Sequence, residues 1–141
     1  CDFRIAQDGP YSIGLPEINI GILPGAGGTQ LLSRIIGQAK TLELTLLGKT
    51  LSPREAEAYG LVTECYDGPV LERALEIAHE LASKSPRAVA HIKHLVRRSE
   101  LVAPTDGFAM ERTMMSDLMV RDETIELMTE MNQGKRDIRD R

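Results

Sequence analysis

Residues 13–32 read Ile13-Gly14-Leu15-Pro16-Glu17-Ile18-Asn19-Ile20-Gly21-Ile22-Leu23-Pro24-Gly25-Ala26-Gly27-Gly28-Thr29-Gln30-Leu31-Leu32. Pro16 and Pro24 each lack a backbone donor and restrict the residue before them, so Leu15 to Leu23 is not one long regular element. Glu17 follows a proline and stands among Leu15, Ile18 and Ile20. Two readings of it stay open. It is a surface carboxylate on a turn, or a carboxyl in apolar surroundings, whose pKa rises and suits proton exchange with a carbon centre. The glycine run ends where a helical pattern begins. Free N–H groups converge at a helix start and hold an anion, a carbonyl or a water; tight packing at a strand-to-helix corner accounts for the same glycines. No Lys follows Gly28 and the G-x-G-x-x-G spacing is missing, so the run is neither a Walker loop nor a dinucleotide fingerprint.

Working outward, Asp2 to Ala6 alternates polar and apolar residues as a strand does, Gln7-Asp8-Gly9-Pro10 is a turn cluster, and Tyr11 to Gly14 is a second short strand. The two strands pair as a hairpin, or their partners lie N-terminal to Cys1, because an unpaired strand edge is a liability. The chain opens inside this strand-like segment, which favours the second alternative.

After Thr29 the pattern turns helical. Leu31, Leu32, Ile35 and Ile36 recur at helical spacing before Gly37, and a second helix covers about Ala39 to Leu47 before Gly48. Ser52-Pro53-Arg54-Glu55 combines an N-cap Ser, Pro at the first helical position and Glu to complete a capping box. That helix stops at Gly60, and Leu61 to Tyr66 reads as a strand. Pro69, Pro86 and Pro104 open three further helices. The first carries Val70, Ala74, Leu75, Ala78 and Leu81 on one face, the second Ala88, Ile92, Leu95 and Val96, and the third runs to about Val120. A last helix covers about Asp122 to Asn132. No internal repeat or low-complexity tract is present.

Composition narrows the classes. The 141 residues are 42% hydrophobic and 27% charged, ordinary for a globular protein. Seventeen Lys and Arg against 21 Asp and Glu leave a net charge of −4, which lacks the electrostatic footprint of a nucleic-acid binder. Cys1 and Cys65 do not make a disulfide framework. No apolar run approaches the ~20 residues that span a bilayer, and the N-terminus lacks the character of a signal peptide. The expectation is a soluble, cytoplasmic protein without nucleic-acid or membrane partners.

The stretch from Ile13 to Leu32 resembles, without a gap, the crotonase superfamily pattern F-G-x-P-E-x-x-x-G-x-x-P-G-x-G-G-T-Q-R-L. Leu47 to Val62, L-G-K-T-L-S-P-R-E-A-E-A-Y-G-L-V, is similar to the family's T-G-x-x-x-x-A-x-E-A-x-x-x-G-L-V, and C-D-F-R-I-A resembles the strand that precedes the signature. The resemblance implies the α/β crotonase spiral fold. Residues 1–51 would be the tail of the ββα spiral core, and residues 52–141 a helical oligomerisation region. It implies an enoyl-CoA hydratase, or alternatively an isomerase, acting on an acyl-CoA thioester with no cofactor of its own. Glu17 matches the family's second catalytic glutamate, which exchanges a proton with the carbon next to the thioester. Gly25 matches the glycine whose amide helps to hold water or substrate near that carboxylate. The family's first glutamate and its oxyanion-hole amides precede the strand at which this chain begins. The chain therefore resembles the C-terminal half of a crotonase and is expected to be inactive alone, or to act as a non-catalytic oligomerisation piece. Assembly as a homotrimer or a dimer of trimers is implied too.

Some positions depart from the family pattern. Ile13 replaces Phe, Leu31 replaces Arg, and the usual A-F-x-E-K-R-x-P-x-F ending is replaced by residues 127–140, where Lys135 and Arg136 match only loosely. Other candidates are weaker. His91 and His94 sit three apart on a helix without a third ligand, so no metal is expected and a solvated face accounts for them. Met110, Met114, Met115 and Met119 suit a core or an interface, and the resemblance implies that this region can line the acyl end of the pocket. Arg97, Arg98, Lys135, Arg136, Arg139 and Arg141 read as solvated charge.

Overall fold

The computed structural model describes residues 1–139, so Arg141 lies outside the described residues. Two compact units follow one another, Cys1–Ala78 and the residues from His79 onward.

The first unit answers the question posed by the two leading strands. β1 (Ile5–Gln7) pairs in parallel with β4 (Glu64–Tyr66), and β2 (Ile13–Gly14) pairs antiparallel with β3 (Thr50–Leu51). The two strands do not pair with each other as a hairpin; each pairs on one edge with a downstream strand, and the two-stranded sheets leave its other edge open among the described residues. The turn explains why a hairpin fails. Asp8 N–H donates to Tyr66 O at 2.9 Å, continuing the β1–β4 ladder, while Pro10 has no N–H to offer a return strand. The other end is tied as well, since Arg4 N–H donates to Thr63 Oγ1 at 3.0 Å and Arg4 Nε to Leu61 O at 2.6 Å. The strand expected over Leu61 to Tyr66 shortens to three residues. The amides of Leu61 and Val62 both turn back to Ala56 O and close the preceding helix.

Helices α1 (Gly28–Ile36) and α2 (Gln38–Leu46) meet at Gly37, and α3 (Pro53–Ala58) starts at the anticipated capping box. There Glu55 N–H donates to Ser52 Oγ at 3.3 Å while Ser52 N–H donates to Glu55 Oε2 at 2.8 Å. The core of this unit is small: Leu32, Leu44, Leu51 and Ala56 are buried, with Ile13, Leu15, Ile36, Tyr59, Leu61 and Val62 packed around them. Thr41 is buried beside it and donates its hydroxyl to Gly37 O at 2.8 Å. Arg73, from α4 (Val70–Ala82), bridges Glu64 and Glu76, which hold its guanidinium above the ordinary arginine pKa.

The second unit is helical, with α5 (Pro86–Arg98), α6 (Pro104–Met119) and α7 (Asp122–Asn132). Pro86 and Pro104 stand at the first helical turns, as their fixed φ allows. Asp117 ties this unit together. It accepts from Arg87 Nε at 2.6 Å, Arg121 Nη2 at 3.0 Å and the His91 ring at 3.0 Å. The Arg87 bond, then those of Arg121 and His91, hold its carboxyl far below the usual aspartate range. Among the described residues no helix is long and apolar enough to cross a membrane.

Candidate active site

The segment joining β2 to α1 carries both residues that the sequence singles out. Glu17 to Ile20 form one 3-10 turn, and Gly21, at φ +76°, closes it by donating to the carbonyls of Glu17 and Ile18. Ile22 N–H donates back to Glu17 O at 3.3 Å, so the chain folds over on the residue that bears the carboxylate. The Glu17 side chain is half-buried. Its Oε2 is buried and, among the described residues, has no hydrogen-bond partner. A buried polar oxygen without a partner loses its hydration for nothing in return, which is why folded proteins seldom leave one. One of the apolar neighbours behaves as the sequence suggests, for Leu15 packs on the core. Ile18 and Ile20 do not: they are 42% and 77% exposed. The short turn points consecutive side chains in different directions, so the surroundings of Glu17 are less apolar in this chain than its sequence neighbours imply.

Pro24 is buried, and the glycines after it divide the two roles left open by the sequence. Gly28 is a packing glycine. A methyl placed on it would lie 2.7 Å from Leu15 Cδ1 and 2.7 Å from Pro24 Cβ. Gly25 is the opposite, because a methyl there would meet nothing within 4 Å. Gly27 caps α1 at φ +83° without a side-chain hydrogen bond, so no side-chain oxygen from the cap occupies the first-turn amides. A carboxylate with an unsatisfied oxygen, an open glycine and a helix start without a side-chain cap thus lie within twelve consecutive residues.

The remaining candidates resolve differently. His91 is engaged with Asp117, and His94 is exposed. Met110, with Leu95, Val96 and Phe108, lines an apolar groove between α5 and α6, and Met114 and Met115 line its continuation. Met115 and Met119 are exposed. Arg136 forms an ion pair with Glu130 at 3.9 Å, and Arg139 pairs with Asp137 at 2.6 Å. Asp117 was not anticipated. Its i,i+4 relation to Arg121 is visible in the sequence, but Arg87 and His91 reach it only across the helix pair.

The family model described as enoyl-CoA hydratase/isomerase matches residues 1–138. A 2,3-dehydroadipyl-CoA hydratase from Escherichia coli is 38% identical over 82% of this chain and 46% of its own length. A probable enoyl-CoA hydratase from Rhizobium meliloti is 37% identical over 91% of this chain and 50% of its own. Among solved structures, an enoyl-CoA hydratase from Geobacillus kaustophilus superposes with a TM-score of 0.85 at 32% identity, over 97% of this chain and 52% of that one. One from Bacillus anthracis gives 0.82 at 36% identity, over 95% and 52%. The chain belongs to the enoyl-CoA hydratase/isomerase family, within the crotonase superfamily, and has its α/β fold. It spans about half the length of the curated relatives it matches.

Proposed function

We propose that the protein to which this chain belongs is an acyl-CoA-processing enzyme of the crotonase type, a hydratase that adds water reversibly across the double bond of a 2-enoyl-CoA thioester. The substrate brings its own CoA, and no further cofactor takes part. In this reading Glu17 exchanges a proton with the carbon next to the thioester carbonyl, while hydroxide equivalent from water goes to the next carbon. The Gly25 amide helps to hold water or substrate beside the carboxylate. The observation that carries the reading is the buried, partnerless Oε2 of Glu17 within a twenty-residue signature. A general acid–base needs an oxygen free to receive a proton, and an open approach for the group that supplies it. Residues 52–141 are proposed to serve assembly as a homotrimer or a dimer of trimers in the cytoplasm. The test is the loss of enoyl-thioester absorbance when the full native protein is mixed with a 2-enoyl-CoA, with product analysis for the 3-hydroxyacyl thioester. A product carrying a shifted double bond and no added water would replace hydratase by isomerase. No change in the substrate would overturn both.

A further inference from the structure

Gly48 follows α2 at φ +57°, and the side chain of Asn19 lies directly over it. A methyl placed on Gly48 would sit 2.5 Å from Asn19 Oδ1, 2.7 Å from Nδ2 and 2.8 Å from Cγ. Cβ atoms do not come that close, so a methyl on Gly48 would have to push the exposed Asn19 amide off the place it takes over this glycine. Asn19 belongs to the same 3-10 turn as Glu17, two residues on.

Between its flanks, where Leu15 packs on the core and Pro24 is buried, the turn has few other means of holding its pose. It is four residues long, and its backbone bonds are internal or to adjoining residues: Asn19 N–H to Pro16 O at 3.0 Å, Gly21 N–H to Ile18 O at 3.0 Å and Ile22 N–H to Glu17 O. Its apolar side chains, Ile18 and Ile20, are exposed. The other side of the contact is rigid. Leu44 of α2 is 1% exposed in the core, and Lys49 N–H donates to Leu44 O at 3.0 Å, fixing the loop in which Gly48 stands. We infer that Asn19 and Gly48 form a positioning pair that docks the Glu17 turn onto the end of α2 and so sets where the Glu17 carboxylate lies. The placement follows from the contact alone, whereas its catalytic consequence rests on the role proposed above for Glu17.

The experiment is a double-mutant cycle in the full native protein, read by the 13C signal of the Glu17 carboxyl and by kinetics. Gly48→Ala and Asn19→Ala should each displace the carboxyl signal; part of the Gly48→Ala effect is the strain any side chain meets at φ +57°, so the double variant should move it by less than the sum of the two. Asn19→Leu, close to Asn in shape and neutral, should keep it near its original position. With a 2-enoyl-CoA, the two alanine variants should lower kcat roughly 10-fold with KM nearly unchanged, as for a displaced rather than a missing group. Additive displacements would overturn the pair, because independent sites add and contacting ones do not. An unmoved carboxyl signal, or an unmoved kcat in an active enzyme, would overturn it too. Should Gly48→Ala not fold, the contrast between Asn19→Ala and Asn19→Leu decides, and equal displacement in both overturns the pair. If the parent protein turns over no acyl-CoA, the proposed function fails while the carboxyl signals still decide the positioning.

Discussion

Leu15 lies against Gly28 so closely that a single added methyl would sit 2.7 Å from its Cδ1, and Pro24 Cβ would be at the same distance. The two residues are thirteen apart in sequence, and this contact folds the Glu17 segment back beneath the start of α1. Gly28→Ala should therefore destabilise the protein by about 1–3 kcal/mol, the usual cost of overpacking. Denaturant unfolding of the variant measures it, and an unchanged midpoint would show that Leu15 and Pro24 yield freely.

Gly25 supplies the contrast. With nothing among the described residues within 4 Å of its added Cβ, Gly25→Val in the full native protein should leave the unfolding midpoint near that of the parent while activity on a 2-enoyl-CoA is lost. Loss without destabilisation would assign the open space to ligand or water. Normal kinetics in this variant would leave the loop with a structural role only.

Glu17→Gln keeps the shape of the side chain and removes its proton exchange. In the full native protein, turnover should fall by ~10²-fold or more with substrate binding little changed. Turnover within about tenfold of the parent would remove Glu17 from the mechanism.

The Asp117 cluster sets a pH dependence whose sign follows from the direction of its shift. The hydrogen bonds from Arg87, Arg121 and His91 lower the folded-state pKa below the unfolded one. Its contribution to stability is then full above the unfolded value of about 3.9 and is lost as pH falls below it, toward the depressed folded value. Asp117→Asn should flatten that acid limb in thermal unfolding followed from pH 6 to pH 2. An identical acid limb in the variant would show the cluster to be without weight.

The 141-residue chain alone should show no measurable hydration of an enoyl-CoA. Oxyanion stabilisation supplies ~3–4 kcal/mol per donor in acyl chemistry, and the resemblance places those donors outside this chain. Purified chain with real turnover would mean that the thioester oxygen finds its donors here.

The sequence by itself determined the helices, because the signals that start and stop them are made within a few residues. Ser52 and Glu55 bond to each other across one turn, Pro53, Pro86 and Pro104 stand where an unbonded amide costs nothing, and Gly37 and Gly60 end their helices. It also named Glu17 and Gly25, because a signature of fixed spacing needs no knowledge of the path of the chain. Only the tertiary structure decided what those residues face. β1 found β4 across 59 positions, two residues of the Leu61–Tyr66 stretch gave up their strand bonds to close α3, and Ile18 and Ile20 stayed at the surface. Asn19 over Gly48 and Arg87 on Asp117 are likewise meetings of residues about thirty apart. Propensity and capping act over one turn of chain, whereas strand partners, the burial of a single carboxylate oxygen and the packing of a glycine depend on which distant segment arrives beside them.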